Sequence, residues 1–399
     1  MRLIRRLLLP VLVVILTSCA LLMPAVARAQ TYPDVAKSCW AYGAIGWVTD
    51  QGQTGAKLLD DYAGRKFAPK ALLTRQQLAA ALVTASGHLA DPVTDPATIL
   101  DLPATSRYWQ PVQVALALHL FSLSKGHFDP TADVPEWTAD RALVRMVRLM
   151  NPQADWTMLS ALQSGAWQPN PGWKIAVPAC LPWEVAARYL GLRYNHFTQP
   201  ALELSPAQDV DRAEAAYMFQ QALTTAPARL SGLATFDQVT LPPLSARQRR
   251  IISFALHYVG YPYVWGGTWP TADSPLGHQA HGGFDCSGFV WWVLKLNFGY
   301  AISNDQRTAA EMAAHAKPRI TLANLKPCDI IFFGPKGAKS SASSVFHTGI
   351  YLGNGWFAES SSAFDGVTLG NLNWSGWYYG TDFAWGRRVL KAAQLASGS

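Results

Sequence analysis

The 399-residue sequence predicts two folded regions in series, an all-α N-terminal region and an α+β C-terminal region. Three observations carry this. Residues 31–226 repeat one pattern three times: a tryptophan opening an apolar helix, a proline-containing loop, then a second helix behind a polar cap. From Ser245 onward glycine and aromatic residues become frequent. There, a helix starting at Cys286 is followed by short apolar runs of strand length. Hydrophobic residues make up 50% of the chain and charged residues 15%, so sizeable cores are expected rather than disorder.

The first 29 residues are a separate element. They begin with a basic stretch, run apolar from Leu7 and end on small residues around Ala27-Arg28-Ala29, the pattern of a cleaved secretory signal peptide. Within the same stretch Leu16-Thr17-Ser18-Cys19 reads as a lipobox, which would make Cys19 a lipid-bearing N-terminus; an uncleaved anchor is the third alternative. All three place the working protein outside the cytoplasm. Nothing after Met23 is apolar for the roughly 20 residues that a membrane span requires. The formal charge of +7 includes four leader arginines and no leader acid, so the remaining chain carries only +3. Nucleic acid is therefore not an expected partner. Four cysteines remain, Cys39, Cys180, Cys286 and Cys328. Cys39 and Cys180 either pair or stay as free thiols; four cysteines in so long a chain are not a disulfide framework.

The repeats span about 31–90, 95–152 and 155–226, with Trp40, Trp109 and Trp183 at their openings as expected core residues. Thr74 and Asp211 stand as N-caps with Gln77 and Glu214 three residues later, the spacing of a capping box. The middle unit aligns poorly. Setting Thr138 on Thr74 puts Ala139 where Arg75 stands, and setting Arg141 on Arg212 lengthens the loop. The PDV…W opening and the LTRQQLA and VDRAEAA helix starts resemble S-layer homology repeats of bacterial surface proteins. That resemblance implies a three-unit helical body whose grooves bind secondary cell-wall polysaccharide, with Arg75, Arg212 and Glu214 as groove residues. Residues 30–244 carry 16 basic and 18 acidic side chains, so any such binding comes from specific grooves rather than bulk charge. Residues 227–246 read as a linker, extended at Pro242-Pro243. The last folded region then covers 247–392, with 393–399 as a tail.

The chemistry lies in that C-terminal region. Gly282-Gly283 breaks the chain, Asp285 caps, and Cys286 opens an apolar helix, so its sulfur sits at the positive end of a helix dipole. The dipole supplies about 0.3–1 kcal/mol, too little to ionise a thiol at neutral pH, whereas a His partner suffices. His347, opening the alternating run HTGIYLG, is the expected partner; His278 and His281 fall in a glycine-rich loop where positioning would be poor. The order YPYVWGG, FDCSGFV, LKPCDIIFF and HTGIYLGNGWF resembles the NlpC family of cell-wall cysteine peptidases. The resemblance implies a papain-like domain with an antiparallel sheet, Cys286 as nucleophile and His347 as base. It also implies Tyr263 beside the oxyanion, Asp285 and Ser287 contacting substrate, and Arg307-Thr308 as a family segment. The family's third residue, a His, Asn or Gln, falls 12 residues after the base, where this chain has Glu359. Its carboxylate is expected to accept from imidazole Nδ1–H and raise the His pKa.

Cys328 replaces a turn glycine, and a positive φ there would strain it by roughly 1 kcal/mol. Trp265, Trp269, Trp374 and Trp377 lie in glycine-rich loops and either line a groove or pack inside. No CxxC or HExxH spacing occurs, so neither metal nor cofactor is expected. The implied function is a secreted endopeptidase cutting peptidoglycan stem peptides at a γ-D-Glu–diamino acid bond through a thioester, docked on the wall by its repeats. The alternatives are a non-catalytic wall-binding protein and an amidase or acyltransferase using the same Cys–His pair.

Overall fold

The computed structural model describes residues 31–50, 55–169, 173–274, 277–279, 281–315, 318–374, 378–391 and 395. The leader with its three alternatives, Cys19, Trp377 and all of the tail but Leu395 lie outside the described residues. Among the described residues no helix is long and apolar enough to cross a membrane.

The N-terminal region is helical. Its first unit holds α1 (Tyr42–Thr49) and α2 (Arg75–Ala85), its second α3 (Trp109–Ala117) and α4 (Glu136–Met150). The third holds α5 (Thr157–Ser164), α6 (Leu181–Leu190) and α7 (Arg212–Leu223). The extended residues before α2, α4 and α7 meet at one buried point. Leu73 N–H donates to the Val210 carbonyl at 2.9 Å, Val210 N–H to Val134 at 2.9 Å, and Val134 N–H to Leu73 at 3.0 Å. This closed ring relates the units by an approximate three-fold and satisfies the backbone of three fully buried residues at once.

The ring also settles the middle unit, and both expected alignments are corrected. Phe67-Ala68-Pro69, Phe128-Asp129-Pro130 and Leu204-Ser205-Pro206 each precede their ring residue by the same spacing. Asp34 and Asp101 tie down the first two of these turns, accepting from the N–H groups of residues 67–68 and 128–129 at 2.7–3.0 Å. Hence Pro135 stands at the Thr74 and Asp211 position, and Glu136 stands where Arg75 and Arg212 do. Those two arginines each reach to the next turn: Arg75 Nε donates to the Phe128 carbonyl and Arg212 Nε to the Phe67 carbonyl, both at 2.7 Å. A glutamate cannot donate. The equivalent bond to the Leu204 carbonyl comes instead from Arg193 at 2.9 Å, which also pairs with Glu136 and, at 3.2 Å, Asp140.

Residues 227–246, expected as an extended linker, are folded. They form α8 (Pro227–Gly232) and a 3-10 turn (Leu233–Gln238), and bury Leu230, Leu233, Phe236, Val239, Leu241 and Leu244. The Phe236 ring packs 5.3 Å from Tyr189 on the N-terminal side and 5.2 Å from Trp374 on the C-terminal side. The two regions therefore share a core rather than hang on a tether. Trp40 and Trp183 pack half-buried against that core, and Trp109 is also half-buried.

The C-terminal region is α+β. A capping box at Ser245, closed by Gln248, starts α9 (Ala246–Leu256). Then come α10 (Cys286–Val290), continued as a π-helix over Trp291–Asn297, and α11 (Ala309–Ala314). Five strands follow: β1 (Ile330–Phe333), β2 (His347–Gly353), β3 (Trp356–Ser361), β4 (Gly366–Asn371) and, after α12 (Tyr378–Asp382), β5 (Phe383–Arg387). They form one antiparallel sheet in the order β4-β3-β2-β1-β5. The sheet is buried almost throughout, because α10 covers one face and the N-terminal region closes its β4 side.

Cys39, Cys180, Cys286 and Cys328 are all free thiols. Cys328 has φ of +73° and is buried. A residue with a Cβ pays about 1–2 kcal/mol for that conformation, while a glycine gives back about 0.4–1 kcal/mol through its freer unfolded chain. Cys328→Gly is therefore expected to be more stable than Cys328→Ala by up to about 1 kcal/mol in urea unfolding. Equal stability would show that the turn is unstrained.

Candidate active site

The nucleophile position is set by helix capping. Asp285 Oδ1 accepts from Gly288 N–H at 2.6 Å, and Oδ2 accepts from Gly266 N–H at 3.0 Å. Cys286 is the first residue of α10, so its own N–H has no acceptor within the helix. Gly288 is required two residues on. A Cβ there would lie 1.9 Å from the Gly267 carbonyl oxygen and 2.5 Å from Arg307 Nη2.

Asp285 and Ser287, expected to contact substrate, are tied to each other and to Arg307. Ser287 is buried; its hydroxyl donates to Asp285 Oδ1 at 3.0 Å and accepts from Arg307 Nη1 at 2.7 Å. Arg307 Nη2 lies 3.0 Å from Asp285 Oδ1 and donates to the Gly267 carbonyl at 2.8 Å. Asp285, Ser287 and Arg307 thus clamp the loop before Cys286 to the start of α10, with their polar atoms already engaged.

The base and its orienter come from adjacent strands. His347 opens β2 opposite Phe333, whose ring lies 5.6 Å beneath the imidazole. The pairing of Ile350 with Ala358 brings Glu359 beside Gly349, where a Cβ would sit 3.5 Å from that of Glu359. His347 is two residues from Gly349, so the carboxylate and the imidazole share one face as diagonal neighbours. The bond they make corrects one expectation. Glu359 Oε2 binds Nε2 of His347, not Nδ1, which leaves Nδ1 for the Cys286 thiol hydrogen bond.

Burial works against a charged imidazole here. The Glu359 charge and the hydrogen bonds to Cys286 and Glu359 outweigh it and pull His347 up from 6.5 to about 10. An imidazolium held this firmly is the partner that a cysteine thiolate needs.

Tyr379, absent from the sequence reading, completes the chain. Its hydroxyl donates to Glu359 Oε1, so both oxygens of a fully buried carboxylate are engaged. Burial, with the Glu359 charge, keeps this phenol protonated. The available signal was the requirement for a second donor to a buried acid; the aromatic run Trp374–Tyr379 concealed it. Tyr379→Phe would strip one oxygen of its donor. The expected result is a loss of about 1–3 kcal/mol in thermal or urea unfolding, together with slower turnover.

Tyr263 is buried next to the nucleophile, bridged in parallel to Phe284. Burial and the neighbouring Cys286 and Asp285 charges push its phenol far up, so it remains a hydrogen-bond donor. Trp265 is exposed, Trp269 packs 4.3 Å from Trp292, and Trp374 is core. His281 faces away from the nucleophile's chemistry, bound by Gln208 at 3.0 Å and the Ala201 carbonyl at 2.7 Å.

The expected groove residues of the N-terminal region are largely engaged already. Arg212 is buried, donating to the carbonyls of Phe67 and Asp60 and stacked on the Tyr62 and Phe67 rings. It lines a cavity of about 70 Å³ with Lys57, Gln77 and Tyr108. Arg75 stacks on Phe121 and Phe128, and Glu214 is bound to the ring of His196. The Glu214 side chain therefore does not close the capping box expected with Asp211, which accepts the Glu214 N–H at 2.9 Å. Among the described residues no group of His, Cys, Asp and Glu is arranged to hold a metal.

A probable peptidoglycan endopeptidase, LytE of Bacillus subtilis, is 33% identical over 128 residues, covering 32% of this chain and 31% of that protein. The gamma-DL-glutamyl hydrolase of Bacillus subtilis is 32% identical over 148 residues, covering 37% of this chain and 29% of that protein. A crystal structure of an NlpC/P60 family protein from Bacillus cereus is 29% identical, covering 37% of this chain and 42% of that one, with a TM-score of 0.29. The chain spans less than a third of the length of these two curated relatives. The match to the NlpC/P60 family covers residues 260–385, which contain Cys286, His347 and Glu359, and this segment is an NlpC/P60 domain whose relatives are named as peptidoglycan endopeptidases and hydrolases.

Proposed function

We propose that the protein is a secreted, wall-attached cysteine endopeptidase that hydrolyses peptidoglycan stem peptides. The observation that carries this reading is the linked set Cys286, His347, Glu359 and Tyr379, in which thiol, imidazole, carboxylate and phenol follow one another through hydrogen bonds. Proton transfer from Cys286 to Nδ1 of His347 makes a thiolate–imidazolium pair. The sulfur attacks the scissile carbonyl carbon, and the oxyanion is met by the Cys286 N–H and the Tyr263 hydroxyl. His347 then gives its proton to the leaving amine as the C–N bond breaks, leaving a thioester. A water molecule, deprotonated by His347, attacks the thioester and releases the carboxylate product and the free thiol. Glu359 holds the ring throughout.

The names of the relatives and the family resemblance support a γ-D-Glu–diamino acid bond as the target. The resemblance of the N-terminal units to S-layer homology repeats supports docking on wall polysaccharide through inter-unit grooves, with the Arg212 cavity as one groove that retains open space. Such docking would raise the local substrate concentration without needing high affinity.

The test is mass analysis of purified muropeptides after incubation with the full chain, with Cys286→Ala as the blank. Stem peptides shortened at one bond are expected with wild type only. Unchanged muropeptides would overturn the peptidase reading, and loss of the glycan-linked amide instead would mark an amidase.

A further inference from the structure

Outside the domain matched to NlpC/P60, the third helical unit sends one exposed aromatic side chain to the nucleophile's wall. Phe197, 51% exposed, lies with its ring stacked at 15° and 6.4 Å over Tyr263, and edge-on at 5.5 Å to Trp265, itself 71% exposed. Two large apolar side chains left side by side in water need a reason. Nor is the contact an accident of a loose loop. On either side of Phe197 the segment is fastened to the C-terminal region: Asn195 Nδ2 donates to the Ser362 carbonyl at 2.9 Å, and His281 is held between the Ala201 carbonyl and Gln208. Within the segment, His196 N–H binds Glu203 and its ring binds Glu214, so the backbone beneath Phe197 is fixed.

We infer that Phe197 and Trp265 form a substrate-binding corner that takes the aliphatic part of the stem-peptide residue next to the scissile bond. This deepens the peptidase reading and rests on it. The distance argues for a peptide residue rather than a sugar. Tyr263 neighbours Cys286, and the Phe197 ring lies 6.4 Å from that of Tyr263; an extended peptide advances about 3.3–3.6 Å per residue, so the corner is within about two residues' reach of the Tyr263 ring. The corner is half built by the helical region. The NlpC/P60 segment alone therefore has an incomplete cleft, and the N-terminal region selects substrate as well as docking it.

The experiment uses the full chain and a synthetic stem tetrapeptide without sugar. Calorimetric binding is measured in a Cys286→Ala background for Phe197, Phe197→Ala and Phe197→Tyr; KM and kcat are measured in the active protein. Phe197→Ala is expected to weaken binding and raise KM by about tenfold, with kcat little changed, and Phe197→Tyr to restore both. Equal binding by Phe197→Ala overturns the inference, as does failure of the unsubstituted cleft to bind the tetrapeptide. An effect seen only with glycan-bearing substrate also overturns it, since the corner would then serve the sugar. If the tetrapeptide binds but is not hydrolysed, the peptidase reading fails while the Phe197 comparison still decides the corner.

Discussion

Glu359→Ala is expected to lower kcat/KM by roughly 10²–10⁴ at neutral pH, whereas Glu359→Gln loses less there and loses it in a pH-dependent way. The alanine variant leaves Nε2 of His347 and the Tyr379 hydroxyl buried without their shared acceptor, so the ring is no longer held with Nδ1 toward Cys286. Glutamine keeps an acceptor and the shape but removes the charge. With burial pushing down, the Glu359 charge gone and only Cys286 and a neutral acceptor still pulling up, His347 then falls below about 10. The sign follows directly. A raised His pKa means that the imidazolium is retained as pH climbs, so its contribution to stability is whole below 6.5 and disappears as pH rises through about 10. The active thiolate–imidazolium pair disappears over that same alkaline limb. The kcat/KM profile of wild type should decline near pH 10 and that of Glu359→Gln at clearly lower pH, read on one peptide across pH 5–11. Coincident alkaline limbs would mean that the carboxylate orients the ring without charging it.

The elements that carry these groups were legible because their signals are local. A glycine pair, a capping aspartate and an apolar run announce the helix at Cys286, and alternation from His347 announces a strand. The spacing of Glu359 from His347 is fixed by one hairpin. What escaped was nonlocal. Which imidazole nitrogen meets the carboxylate depends on where α10 lies relative to β3, and no sequence pattern encodes that. Tyr379 reaches Glu359 from a helix 20 residues further on. In the helical units, Pro135 conceals the start of α4 from any search for a polar cap, since register is set there by backbone bonds of Leu73, Val134 and Val210. The folded strap at 227–246 did leave a signal in its spaced Leu, Phe and Val residues, but two prolines read more strongly as a linker.

Arg188→Met is expected to destabilise the protein by about 3–5 kcal/mol at pH 8 and by less at pH 5. Arg188, on α6 of the helical region, is fully buried against the NlpC/P60 domain. It donates to the Gly260 carbonyl and, at 3.3 Å, to that of Phe364, and it lies 3.6 Å from Asp365 and 3.9 Å from Glu184. Among the described residues neither oxygen of the Asp365 carboxylate has a hydrogen-bond partner, so nearby cations, Arg188 before Arg193, make its charge tolerable. Burial already raises Glu184 from 4.5 to about 7 and Asp365 from 3.8 to about 6, against the lowering pull of Arg188. For a carboxyl with a raised pKa the folded state holds the proton more tightly, so stability is whole in acid and falls as pH rises through the folded value. Without Arg188 both values climb further and the fall runs on to higher pH, which makes the penalty larger at pH 8 than at pH 5. Urea unfolding at the two pH values measures this; a pH-independent penalty would assign the loss to the two carbonyls alone. Because Gly260 leads into Tyr263, the same substitution should also slacken the aromatic wall of the cleft. Stability of the junction and shape of the active site are then coupled through Arg188.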